Sequence, residues 1–204
     1  MSETERGRGG QLRTPRLLLR RWRESDIEPL SAINADPEVM EFFPSTLTRA
    51  QSAAQIEESE RSFEARGYGR WAVELCGESR LVGRVGALSV DEDLPFSPGV
   101  ELGWSLAREV WGRGIATEAA IAACEHAFQT LGLEELLAYA AARNLRSQRV
   151  MERLGMRRDP AEDFLHPQLS IEDPLAPHQL HRLRPGWLAS LSHHDVRRDA
   201  PPPP

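Results

Sequence analysis

Residues 100–119 read VELGWSLAREVWGRGIATEA, and this stretch decides the fold. A strand is expected over 99–106. A Gly-rich turn, Gly112-Arg113-Gly114, follows it, and then an Ala-rich helix over about 114–131. Ala120, Ile121, Cys124, Ala127, Phe128 and Leu131 recur at helical spacing as its apolar stripe, and Gly132 closes it. Glycines let backbone N–H groups converge without Cβ obstruction. The helix N-terminus adds unsatisfied donors and a partial positive charge. Together they form an anion site suited to a pyrophosphate, and Arg113 adds a guanidinium to the same field. A Gly-x-Gly alone is more often a plain tight turn. The strand before it and the helix after it favour phosphate binding.

Toward the N-terminus, residues 16–20 read as a first strand. Ser25 or Asp26 caps an expected helix with Ile27, Leu30 and Ile33 as its stripe, and Asp36-Pro37 stops it. Thr48 caps a longer helix that Gly67 ends, with Ala53, Ile56 and Phe63 facing inward. Strands are expected over 68–76 and 80–90, joined by a hairpin at Gly77-Glu78. Toward the C-terminus, a strand over 136–141 leads to Asn144 and a short helix over 147–154, ended by Gly155. A strand over 156–158 pairs with 178–183. This mixed order predicts an α/β or α+β sheet with helices on both faces. The expected organisation is a disordered tail over 1–11, one domain over 12–184, and an extension over 185–204 that ends in prolines.

Composition narrows the function classes. The 204 residues suffice for one domain with a core. A net charge of −6 argues against nucleic acid as a partner. No run approaches the roughly 20 apolar residues of a membrane span, and the N-terminus lacks an apolar signal core. A cytoplasmic protein with no membrane partner is expected. Two cysteines cannot make a disulfide framework, and the histidines, His193-His194 included, show no metal spacing. All 25 basic residues are arginine. With no lysine, Schiff-base chemistry and a Walker-type phosphate loop are excluded.

Two phosphate ligands then remain for the turn, a dinucleotide and coenzyme A. A dinucleotide fold would use Thr117 as its third small residue and Glu134 or Glu135 as its acid, but that turn normally opens a domain. Here about a hundred mostly structured residues precede it.

The residues over 104–120 resemble the acyl-CoA-binding motif of the GCN5-related N-acetyltransferases (GNAT), Gln/Arg-x-x-Gly-x-Gly/Ala. Gly112, Gly114 and Ala116 match its glycine-rich end, while Glu109 stands where Gln or Arg is expected. The run from Asn144 through Met156, with Ser147, is similar to the Asn-x-x-Ser helix of that family. The opening Thr14-Pro-Arg-Leu-Leu-Leu-Arg resembles the RimJ/RimL-type branch, which includes acetylases of ribosomal-protein N-termini. The resemblance implies a GNAT-type fold, a mixed sheet of about seven strands flanked by helices. Its fourth and fifth strands, 99–106 and 136–141, splay apart. Trp104, Ser105 and Leu106 would offer backbone to the pantetheine arm of acetyl-CoA, and Gly112, Arg113, Gly114, Ile115, Ala116 and Thr117 would cradle the pyrophosphate. Asn144 would contact the coenzyme. No metal is implied.

The implied reaction is attack of a primary amine on the thioester in a ternary complex. An ammonium has no lone pair, so a proton must leave. An α-amine of pKa about 7.8 is about 14% neutral at pH 7, a lysine-type amine only about 0.04%. Glu101, on the splayed strand, is the candidate base. Met151 stands where many relatives place a tyrosine acid, so Ser147 is the candidate proton donor to the thiolate. Phe42, Phe43, Trp71, Phe96, Phe164 and His166 are the candidate acceptor wall. The expected partners are an amine acceptor, a peptide N-terminus or a small molecule, and a second copy in a homodimer. Two other classes stay open: a non-catalytic acyl-CoA sensor and a nicotinamide-dependent oxidoreductase.

Overall fold

The computed structural model describes residues 10–186; the proline tail and His193-His194 lie outside them. The strands are β1 (Leu12–Arg13), β2 (Leu17–Arg20), β3 (Arg70–Leu75), β4 (Arg80–Ser89), β5 (Val100–Leu106), β6 (Leu136–Ala141), β7 (Arg157–Arg158), β8 (Phe164–Leu165) and β9 (Pro177–Leu183). The α-helices are α1 (Ile27–Ala35), α2 (Arg49–Arg66), α3 (Ile115–Glu125) and α4 (Leu145–Arg153). The strands form one sheet in the order β1-β2-β3-β4-β5-β6-β9-β7, with β8 beside β9. It has nine strands rather than about seven, because short pairings at the margins add to the expected set.

Local chemistry explains most boundaries. The Thr48 side chain accepts from the Gln51 N–H at the start of α2, and Gly67, at φ 80°, ends it in the left-handed region. Asn144 accepts from the Ser147 N–H, so α4 begins two residues earlier than expected. Asp26 does not cap α1. Its carboxylate is buried against the Arg20 guanidinium at 2.7 and 2.9 Å, and Glu74 completes the pair from β3. The long helix after Gly114 is also not uniform, since α3 stops at Glu125 and a π-helical turn, His126–Thr130, continues it. In that turn His126 is buried with its ring edge-on to Trp71 at 5.3 Å.

Two cores flank the strands that carry the site, and a third apolar cluster joins Val90, Leu94, Leu137 and Leu180. The larger packs Trp71, Val73, Val85, Leu102 and Leu106 against Ile115, Ala119 and Ala123 of α3. The smaller packs Ala72 and Leu81 under Leu30 of α1 and Ile56 of α2. Neighbours along β3 therefore serve opposite faces, as the period of two requires.

One pairing positions the site. β4 and β5 are antiparallel along all of β5, from Gly83↔Leu106 to Ser89↔Val100. By contrast β5 meets β6 in parallel only at Glu101↔Leu137. Beyond that pair the two strands part toward their C-terminal ends and leave one backbone edge of each unpaired by the other.

Candidate active site

The parted strands open into a cleft of about 670 Å³. Its walls come from the α1–α2 connection, β4, β5, the loop before α3, β6 and α4. At one end Gly112 and Gly114 both hold positive φ, 71° and 73°, a conformation that side-chain-bearing residues adopt only with strain. A Cβ on Gly112 would meet nothing within 4 Å, so it would project into open space at the cradle. No side chain caps α3, which leaves its first N–H groups for a ligand. The Thr117 hydroxyl, buried without a hydrogen-bond partner, lines the same cleft. Arg16, just before β2, braces this loop by donating to the Arg113 carbonyl at 2.7 Å and to Glu118 at 2.5 Å. These features fit a diphosphate.

Trp104, Ser105, Leu106, Gly112, Gly114, Ile115, Ala116, Thr117 and Asn144 all border the cleft. Arg113 does not. It is exposed, and only its carbonyl is engaged. Five arginines do line the cleft: Arg70 and Arg84 on β3 and β4, and Arg146, Arg149 and Arg153 on α4. Helical spacing over 146–153 could have signalled the last three. Arg146 lies over the Trp111 ring at 4.5 Å and pairs with Glu41. Glu109 is turned away onto Arg80 at 2.9 Å and does not enter the cradle.

Glu101 and Ser147 also line the cleft. Glu101 accepts from Arg70 at 3.0 Å and from the Tyr139 hydroxyl at 3.3 Å, and the side chains of the Arg70 pair are each only 17% exposed. Gly103 permits this pair, because a Cβ there would lie 2.8 Å from the Arg70 guanidinium. Burial and the facing carboxylate hold the Tyr139 phenol above its usual range. Tyr139 was not singled out from the sequence, since only β6 pairing brings it to Glu101.

The expected acceptor wall divides. Phe42, Phe43 and His166 line the cleft. Phe164 and Phe96 instead pack behind Tyr139, at 5.8 and 5.4 Å between rings. Trp71 is not an acceptor contact: it is 1% exposed in the core on the α3 side, between Phe63 and His126, and its indole N–H donates to the Gly10 carbonyl. The cleft also gains His178, whose Nδ1 lies 3.1 Å from the Ala176 carbonyl and whose burial holds its pKa below the usual value.

Residues 16–157 match the family model described as an acetyltransferase (GNAT) domain. The chain belongs to the GNAT acetyltransferase family. It is 27% identical over 146 residues to a Bacillus subtilis protein named uncharacterized N-acetyltransferase YnaD, covering 72% of this chain and 82% of that relative. Among solved structures, an acetyltransferase from Agrobacterium tumefaciens is 28% identical with a TM-score of 0.69, covering 85% of this chain and 94% of its own. The fold is shared with Mycobacterium smegmatis RimJ, solved with CoA-disulfide, at a TM-score of 0.68 and 20% identity over 92% of this chain and 91% of that one. The protein is thus an acyltransferase with a mixed α/β GNAT fold, and the oxidoreductase alternative falls away. No helix among the described residues is long and apolar enough to cross a membrane.

Proposed function

We propose that this acyltransferase moves an acetyl group from acetyl-CoA to a primary amine by direct attack within a ternary complex. The observation that carries the reading is the single β5–β6 pair at Glu101↔Leu137, with an uncapped helix N-terminus at the end of the slot it opens. A pantetheine arm can add to the free edge of β5 through backbone hydrogen bonds, while the amides from Gly112 to Thr117 take the diphosphate. Arg149, exposed at the cleft, adds positive charge to it. Asn144 spends its carbonyl oxygen on the α4 cap, so its amide hydrogens are the part left for the coenzyme.

Acetyl-CoA, when bound, supplies the activated carbonyl. Glu101 takes the proton that the attacking amine sheds, directly or through a water, while Arg70 and Tyr139 hold its carboxylate in place. Ser147, in the first turn of α4, donates a hydrogen bond from its hydroxyl to the departing thiolate, which takes a proton from solvent or the one shed by the amine. Phe42, Phe43 and His166 form the acceptor side, and the domain that does this work spans 12–184.

Thiol release from acetyl-CoA with a panel of primary amines and N-terminal peptides tests the reading. Turnover with any amine supports it. Tight coenzyme binding without turnover across the panel would favour the acyl-CoA sensor instead.

A further inference from the structure

Arg84 is 5% exposed, lies on β4 and lines the cleft. Among the described residues its side chain makes no hydrogen bond and no ion pair, and its Nε is buried without a partner. A guanidinium has donors only, so it needs an acceptor oxygen when it is taken from water. Two further unpartnered buried groups stand near it. Ser105, directly opposite Arg84 in the β4–β5 register, has a buried hydroxyl without a partner. Arg70 spends one terminal nitrogen on Glu101, but its Nε is also buried and unpartnered.

The register puts all of these on one face of the sheet. Arg84 faces Ser105, Gly86 faces both Arg70 and Gly103, and Leu88 faces Glu101. Above them lie Gln55 and Glu58 of α2, which also line the cleft. Glu58 is exposed and makes no ion pair with Arg84. Unmet donors of Arg84 and Arg70 and the unpartnered Ser105 hydroxyl are thus gathered on this face, a few residues along β5 from the Glu101 carboxylate. Burial and the neighbouring Arg70 charge push the Arg84 pKa down to about 9, against the opposing pull of the Glu101 and Glu58 carboxylates, neither of which pairs with it directly.

We infer that Arg84, Arg70 and Ser105 form an anion subsite, and that the acceptor is a small primary amine bearing a carboxylate. Its amine faces Glu101 and its carboxylate lies on Arg84. The acceptor must be small because a cleft of about 670 Å³ also has to admit a pantetheine arm, and Arg84 within it is only 5% exposed. That the anion belongs to an acceptor rests on the transferase reading; the subsite itself does not.

The test uses the full chain and its Arg84→Met variant, which removes the charge at similar volume. The probes are N-acetyl ω-amino acids, from N-acetylglycine to N-acetyl-6-aminohexanoate, and the primary amide of each. Binding is measured by calorimetry with and without saturating coenzyme A. At least one acid is expected to bind about tenfold or more tightly than its amide, and Arg84→Met to reduce that preference to about twofold or less. No preference for any acid, or a preference that survives in Arg84→Met, overturns the subsite. A tenfold loss of coenzyme A affinity in Arg84→Met would assign the guanidinium to the coenzyme and also overturn it.

Thermal unfolding without ligand gives an independent readout. A cation kept for a ligand destabilises the empty protein, so the Tm of Arg84→Met is expected to rise by about 3 °C or more. A fall would show a structural role and overturn the inference. Acid binding that persists while coenzyme A fails to bind the parent protein would support the subsite and sink the transferase reading.

Discussion

Replacing Glu101 by glutamine separates positioning from proton transfer. Gln keeps the shape and one acceptor oxygen, so the Arg70 contact at 3.0 Å can persist while the charge is lost. The two side chains are 17% exposed, so the lost ionic contribution is about 1–2 kcal/mol, which lowers the Tm by roughly 2–8 °C. The expected rate loss at pH 7 is larger, about a hundredfold in kcat, the usual scale for removing a general base. Raising the pH restores part of it by deprotonating the acceptor in solution. Between pH 7 and 9 the neutral fraction of an α-amine rises about sevenfold, whereas that of a lysine-type amine rises about a hundredfold. The pH–rate slope of the variant, measured by thiol release, thus also reports the kind of amine. A kcat within threefold of the parent at pH 7, or the same pH profile in both proteins, would refute Glu101 as the proton acceptor.

Gly112→Glu is expected to reduce coenzyme A affinity by about a hundredfold or more, because it places a carboxylate where the helix N-terminus would receive a phosphate. Gly112→Ala should cost only about 1–2 kcal/mol through its φ of 71°, since its Cβ meets no atom; calorimetry and thermal unfolding distinguish the two. Trp71→Ala should destabilise by about 3–5 kcal/mol in urea unfolding and leave the acceptor KM unchanged; a raised KM with intact stability would return Trp71 to the acceptor wall. Burial holds His126, His178 and His181 below their unfolded pKa of about 6.5. The unfolded chain therefore binds more protons in mild acid, and this share of stability is present above about pH 6.5 and lost as pH falls through the lowered values. The Tm should drop between about pH 6.5 and 5, and a Tm that rose on acidification would contradict the burial of these rings.

The sequence by itself determined what depends on a few neighbouring residues. Thr48 and Gly67 delimit α2, and Gly112 and Gly114 form a bend ahead of a helix, because capping and left-handed φ are local chemistry. The bend and helix start that the proposal gives to the coenzyme were legible for that reason. The acceptor side was not, because it depends on which face of the sheet each strand residue takes and on partners far along the chain. Arg70 and Trp71 are adjacent, yet one enters the cleft and the other the core beside Phe63 and His126. A strand's period of two sets their opposition, but only the helices laid on each face decide which is which. Arg84, Glu101, Ser105 and Tyr139 meet only through β4–β5–β6 pairing, and Arg149 reaches the cleft where Arg113 does not because α4 lies against it. Tertiary structure alone joined those residues into a site, since register and burial are properties of the assembled sheet rather than of any segment.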